Sequence, residues 1–218
     1  MKEKIFNIIF VFIFLCCIGI LLVHVNTKPN TVVFIGDSIT YFGNNTKNGF
    51  IRQFGKNFSS KFNIIAKGNC GDGTHEILDR IYPDVVNYHP DIMVLMIGIN
   101  DINNESHSKE DMKQTFSEII DIVKENNIEP IILNVSPISE DFNNSKTLMV
   151  DEYNKQLEEL SKEKDFQLID INTPLKEEIS KHSNSKFVVL EDNLHLNATG
   201  NTIVANSIIK EFTNKYSK

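Results

Sequence analysis

The residues whose types and spacing could do chemistry fall in three strings: Gly36-Asp37-Ser38, Gly98-Ile99-Asn100-Asp101 and Asp192-Asn193-Leu194-His195. A serine hydroxyl becomes a nucleophile when a base takes its proton. Histidine is the side chain whose proton affinity suits that transfer near neutrality, and a carboxylate on its Nδ1 fixes the useful tautomer. Asp192 and His195 stand three apart, so both side chains can issue from one turn. Asn100 supplies a side-chain amide. Gly71, in the turn Gly68-Asn69-Cys70-Gly71-Asp72-Gly73, supplies a backbone N–H that no side chain shields. Donors of this kind stabilise the oxyanion that develops on a carbonyl under attack. The set Ser38, His195, Asp192, Gly71 and Asn100 therefore contains the parts of nucleophilic acyl transfer.

Each part also has a plainer use. Asp-Ser after a strand commonly caps a helix. An Asp-x-x-His pair is common in surface loops, and Gly, Asn and Asp populate turns for conformational reasons. Asp37, Asp72 and Asp101 are expected to hold their loops by hydrogen bonds. His75, His89, His107 and His182 have no carboxylate matched as Asp192 is to His195 and are expected in solvent. Cys70 has no matched histidine and is expected to pack.

Residues separated by roughly 150 positions meet only if the elements between them gather their ends, as a doubly wound sheet does at the carboxyl ends of its strands. Apolar runs at Thr31–Ile35, Phe62–Ala66, Asp91–Ile97, Pro130–Val135 and Phe166–Ile171 read as strands. The third is apolar after its first residue, as a strand covered on both faces should be. Between them lie helical stripes. Phe50, Ile51, Phe54 and Phe58 mark Gly49–Ser59; Thr74 caps a helix presenting Ile77, Leu78 and Ile81, with Pro83 kinking or restarting it. Ser108 with Asp111 opens a helix to about Asn126 that buries Met112, Phe116, Ile119, Ile120 and Val123. Helices are also expected at 143–164, near 174–179 and from Asn197 to about Tyr216, and a brief apolar run at Phe187–Leu190 leads to Asp192. Strand–helix alternation repeated five times predicts an α/β fold: a three-layer α/β/α sandwich on a five-stranded parallel sheet with right-handed crossovers. Segments 40–48, 101–108 and 136–146 read as rim loops, with Tyr41, Phe42, Ile102, Ile138 and Phe142 as candidates to line an acyl channel or simply to pack.

The chain has 218 residues, 41% hydrophobic and 23% charged, which suits one domain with a substantial core. A net charge of −7 argues against a nucleic-acid partner, which would want a clustered basic face. Lys2 and Lys4 precede an apolar run from Ile5 to Val25, broken only by Asn7 and His24 and long enough to span a bilayer. The run lacks a small-residue cleavage site, so residues 1–25 are read as an uncleaved anchor, with a cleaved signal segment or a lipid-modified Cys16 or Cys17 as alternatives. The lysines before the span place the amino terminus in the cytoplasm and residues 31–218 outside, after a linker at 26–30. With Cys16 and Cys17 in that run, Cys70 stands alone in the domain, which can have no disulfide framework.

Gly36-Asp37-Ser38-Ile39-Thr40, the Gly68-x-x-Gly71-Asp72 turn, Gly98-x-Asn100-Asp101 and Asp192-x-x-His195-Leu196 together resemble the SGNH (GDSL) hydrolase family, in the family's order and approximate spacing across residues 31–216. The resemblance implies a flavodoxin-like sandwich, Ser38 as nucleophile, the Ser38 amide with Gly71 and Asn100 as oxyanion donors, and His195 as base oriented by Asp192. It also implies no metal and no organic cofactor. Ile99, Asn193, Asn69 and Cys70 depart from the residues usual at their positions, and none removes a catalytic part. The resulting expectation is an extracytoplasmic serine esterase acting on O-acetyl-carbohydrate or acyl-lipid and lysophospholipid esters. Rival readings are an acyltransferase using the same residues, a two-metal phosphoesterase, which would want more histidines at the rim than His195, and a non-catalytic glycan-binding module. Oligomeric state is not legible in the sequence.

Overall fold

The computed structural model describes residues 30–182 and 186–216. Five parallel strands, β1 (Asn30–Gly36), β2 (Phe62–Gly68), β3 (Ile92–Met96), β4 (Glu129–Leu133) and β5 (Gln167–Ile169), form one sheet in the order β2-β1-β3-β4-β5. The described helices are α1 (Ser38–Asn45), α2 (Phe50–Phe58), α3 (Thr74–Asp84), α4 (Ile99–Asn104), α5 (Lys109–Glu125), α6 (Ser145–Lys164), α7 (Asn172–Lys181) and α8 (Ala198–Tyr216), with a 3₁₀ turn at Val86–Tyr88. The chain winds outward from β1 to β2, then reverses through β3 to β5. Right-handed crossovers consequently put α1 and α2 on one face and α3, α5 and α6 on the other. α8 returns to the first face and packs on α2, where Phe54, Phe58, Phe62, Phe212 and Tyr216 form an aromatic cluster. The expected α/β sandwich is the architecture found.

Reversal of strand order at β1 leaves a crevice where the loops after β1 and β3 diverge, the place such sheets bind ligands. The register brings the strand ends level: Gly36 pairs with Gly68 on one side and Met96 on the other. Val32, Val33, Phe34, Ile35 and Ile92 to Met96 are all buried, as central strands covered on both faces require.

Several boundaries differ from those expected. Residues 38–45 and 99–104 are helical, so the first parts of the segments 40–48 and 101–108, read as rim loops, are not loops. β4 and β5 stop early because side chains replace the ladder: Asn134 Oδ1 accepts from Ile171 N and its Nδ2 donates to Asp170 Oδ1. Gly73, not Thr74, is the N-cap of α3, and its N–H is taken by Glu76 Oε2 at 2.9 Å. Pro83 lies in the last turn of α3, where the helix is ending anyway. Ile102 and Ile138 are core residues, whereas Tyr41 and Phe42 are exposed. Cys70 is exposed rather than packed. Among the described residues no helix is long and apolar enough to cross a membrane; the anchor expected at 1–25 lies outside the described residues.

Candidate active site

Ser38 is the first residue of α1, directly above the end of β1. Asp37 caps that helix through Oδ1, which accepts from Ile39 N at 2.8 Å. Its other oxygen, Oδ2, is buried with no partner among the described residues. Burial pushes the Asp37 carboxyl up to about 7, against the pull of the Ile39 amide and of His195. Ser38 itself is 6% exposed, so its hydroxyl sits in a shallow recess.

Ser38 Oγ lies 3.0 Å from His195 Nε2, and His195 Nδ1 lies 2.8 Å from Asp192 Oδ2. The segment carrying the pair is closed locally. Leu190 bridges to Leu196, Glu191 N donates to the His195 carbonyl, and Asp192 Oδ1 accepts from the amides of Leu194 and His195 at 2.6 and 2.7 Å. Burial raises the Asp192 carboxyl, but the His195 ring and these two amides outweigh it and hold the group below the ordinary carboxylate range. Phe42 meets the His195 ring edge to face at 5.4 Å and limits its rotation.

Two other segments converge on the same strand ends. Gly71 has φ +91°, a conformation that disfavours any Cβ, and its N–H meets no acceptor among the described residues. Asn69 N, two residues earlier, donates to the Gly36 carbonyl. Gly98, at φ +118°, turns the chain from β3 into α4, and a Cβ there would lie 2.5 Å from the Tyr153 ring. That turn delivers Asn100, 8% exposed, whose Nδ2 donates to the Asp72 carbonyl at 2.8 Å. One amide proton of Asn100 thus ties the two donor segments together, and the second remains for a ligand.

Asp72 and Asp101 hold loops, as expected. The Asp72 carboxylate accepts from Arg80 Nε at 2.6 Å and Asn69 Nδ2 at 2.5 Å; that of Asp101 accepts from Thr74 N and Oγ1. Sequence reasoning missed Arg80 and Glu140. Arg80 also donates to the carbonyls of Gly36 and Lys67 and to Asp84, so one guanidinium ties the ends of β1 and β2 to α3. Its signal was available, since Arg52 and Arg80 are the only arginines and only a guanidinium offers five fixed donors. Glu140 accepts from the amides of Val188, Val189 and Leu190 and so anchors the segment leading to Asp192; nothing local in the sequence announces that contact. Two histidines expected in solvent are engaged instead. His75 Nε2 lies 2.9 Å from Asp111 Oδ2, and His107 Nδ1 lies 3.0 Å from Asp101 Oδ1.

Chemically, this is a hydroxyl, an imidazole–carboxylate couple and unshielded N–H donors at one sheet rim, an arrangement suited to acyl transfer through a covalent intermediate. The sequence matches the GDSL-like Lipase/Acylhydrolase family over residues 34–203, and the chain belongs to that family. It is an esterase of the serine-hydrolase class. Among solved structures it resembles the acetyl xylan esterase AlAXEase (24% identity, 83% of this chain and 98% of that one, TM-score 0.77). It also resembles Axe2, an acetylxylan esterase from Geobacillus stearothermophilus (19%, 84% and 94%, 0.73). A third is LAE5, an alpha/beta hydrolase enzyme from the metagenome of Lake Arreo, Spain (20%, 84% and 95%, 0.74). At these identities the likeness is one of fold. No curated protein matches the chain significantly.

Proposed function

We propose that the protein removes small acyl groups, above all O-acetyl groups, from carbohydrate outside the cytoplasm. The observation that carries this reading is the unbroken chain from Ser38 Oγ through the His195 ring to Asp192, with contacts of 3.0 and 2.8 Å. His195 Nε2 takes the Ser38 proton as Oγ adds to the ester carbonyl. The tetrahedral oxyanion is received by the amides of Ser38 and Gly71 and by the free proton of Asn100. Collapse expels the alcohol, which takes the proton back from His195 and leaves an acyl-serine. Water, activated by the same imidazole, then releases the acid. Asp192 holds the ring in the tautomer whose Nε2 can accept, and stays ionised throughout.

Carbohydrate is favoured over lipid on two grounds. Two of the structural neighbours are acetyl xylan esterases by name. Beside the Asp192–His195 segment lies a cleft of about 400 Å³ lined by Ser139, Glu140, Asp141, Lys186, Phe187 and Asn193. Its polar rim with the exposed Phe187 ring suits a pyranose, which presents hydroxyls at its edge and C–H groups on its face. The exposed Tyr41 and Phe42 leave the rim open, and Ile102 and Ile138, candidates for an acyl channel, are spent on the core.

A panel from p-nitrophenyl acetate to long-chain esters, with O-acetylated oligosaccharide and lysophospholipid, tests the reading. Acetyl esters should turn over fastest, and acetate release should not fall when a sugar acceptor is added, as it would for a transferase. Ser38→Ala and His195→Ala should each abolish turnover to a similar degree, because the pair acts as a unit. Normal activity in the Ser38 variant would refute the assignment; preference for long-chain esters would refute the substrate class alone.

A further inference from the structure

On the flank of the site, the loop between α4 and α5 brings His107 over the first turn of α3, where His75 sits. The two imidazoles stack with ring centroids 4.2 Å apart and planes 22° from parallel. Asp111, in the first turn of α5, reaches the same spot: its Oδ2 is 2.9 Å from His75 Nε2. Thr115, one turn on, places Oγ1 3.2 Å from the same nitrogen. One donor atom from each of His75, His107 and Asp111 lies within 4.8 Å of the others.

We propose that His75, His107 and Asp111 form a binding site for one divalent transition-metal ion, with Asp101 as its outer carboxylate. A tetrahedral ion bound at about 2.0–2.1 Å separates its ligand atoms by about 3.3 Å, so the contact of His75 with Asp111 is already close to that edge. Face-stacked imidazoles hold their lone pairs in near-parallel planes, so binding turns the partly exposed His75 ring out of the stack, on the side of Asp111. His107 is oriented as a ligating imidazole should be. Its Nδ1 faces Asp101 Oδ1 at 3.0 Å, and that carboxylate, fully buried and fixed by Thr74, selects the tautomer in which Nε2 keeps its lone pair. Carboxylate-to-histidine support of this kind is a regular companion of metal ligation.

The donor set also selects the ion. Two imidazoles and one carboxylate suit zinc and its neighbours, whereas calcium and magnesium prefer oxygen alone. The surroundings are acidic: Asp101, Asp111 and Glu76 all lie close, and Glu76 interacts electrostatically with both rings. A bound cation would compensate these charges. With three protein ligands on a solvent-accessible flank, the fourth position falls to water. Ser38, His195 and Asp192 take no part in this site, so the ion would not carry the ester chemistry. It would instead fasten the α4–α5 loop to α3. Through Asp101 that loop adjoins Asn100, and through Thr74 it adjoins the Gly71–Gly73 turn.

The test uses the full chain in detergent, stripped with a chelator and titrated with ZnCl₂ and CoCl₂. Binding is followed by calorimetry and by the visible absorption of four-coordinate cobalt. One zinc per chain should bind with micromolar or tighter affinity, and the unfolding midpoint should rise with zinc concentration and fall back with EDTA. His75→Ala and Asp111→Asn should each weaken binding at least ~10-fold, and Asp101→Asn, which removes only the outer carboxylate, ~10–100-fold. Wild-type protein that binds zinc no better than millimolar would overturn the proposal, and so would affinity unchanged in both His75→Ala and Asp111→Asn. The readout is binding, so it stands or falls independently of turnover.

Discussion

Asp37 and Asn100 each do two things at once, and the two uses separate by experiment. Asp37 caps α1 with one oxygen and buries the other with no partner among the described residues. Its carboxyl is pushed up to about 7 in the folded chain from an ordinary value of 3.8. Between those values the folded state binds more protons than the unfolded state, so this group's contribution to stability is complete below pH 4 and is lost as pH rises through 7. Asn is as good an N-cap as Asp and does not ionise. Asp37→Asn should therefore be more stable than the parent above pH 7, by up to ~4 kcal/mol, with the gap closing towards pH 4. Urea unfolding at pH 5 and pH 8 measures it, and a difference that does not change with pH would show that Asp37 ionises normally. Asn100 commits one amide proton to the Asp72 carbonyl, which aims the other. Asn100→Ala should lower kcat by about 10²–10³ with little change in KM on p-nitrophenyl acetate, since an oxyanion donor acts in the transition state. A proportionate rise in KM instead would assign it to ground-state binding.

Among elements, one guanidinium ties the turn from β2 into α3 to the ends of β1 and β2. Arg80, only 16% exposed, carries Asp72, Asp84 and the carbonyls of Gly36 and Lys67. Arg80→Ala would leave the Asp72 carboxylate buried with Asn69 as its remaining side-chain donor, and stability should fall by roughly 3 kcal/mol, the order seen when one partner of a buried pair is removed. Arg80→Lys keeps the charge but not the fork, so it should recover part of the stability yet lower kcat through the loosened Gly71 turn. An unfolding midpoint unmoved in Arg80→Ala would remove the residue from this role. The same scale shows where the sequence was readable. The five strands and the long helices declare themselves by apolar runs and stripes, because burial on two faces or one leaves a periodic trace. α1 and α4 do not. Ser38–Asn45 contains Thr, Gly and two Asn, poor helix formers, and is held by the Asp37 cap and by packing over β2. Ile99–Asn104 is a six-residue helix flanked on both sides by left-handed residues, Gly98 and Glu105. The Ser38, Asp192 and His195 strings were legible because their spacing is local and chemically unusual. The contacts of His75 with Asp111 and of Glu140 with Val188 to Leu190 join positions 36 or more apart and leave no local trace.

At the scale of the whole molecule, the question is where this domain works. The first residue described, Asn30, already opens β1, so the linker read at 26–30 shortens to 26–29, four residues between the apolar run and the domain. If residues 1–25 are the anchor we propose, the esterase is held beside a bilayer, where polymer at the cell surface is within its reach. The apolar run from Ile5 to Val25, with only Asn7 and His24 interrupting it, is long enough to span the hydrocarbon core, and Lys2 and Lys4 ahead of it favour a cytoplasmic amino terminus. On expression in a bacterial host, the full chain should therefore sediment with membranes, resist extraction by carbonate and high salt, and dissolve in detergent with its esterase activity intact. Protease added to spheroplasts should destroy that activity while sparing a cytoplasmic marker enzyme. Activity recovered in the soluble fraction at a reduced mass would mean that the segment is cleaved. Activity protected until the spheroplasts are lysed would place the domain on the other side, and a surface polysaccharide could then no longer be its substrate.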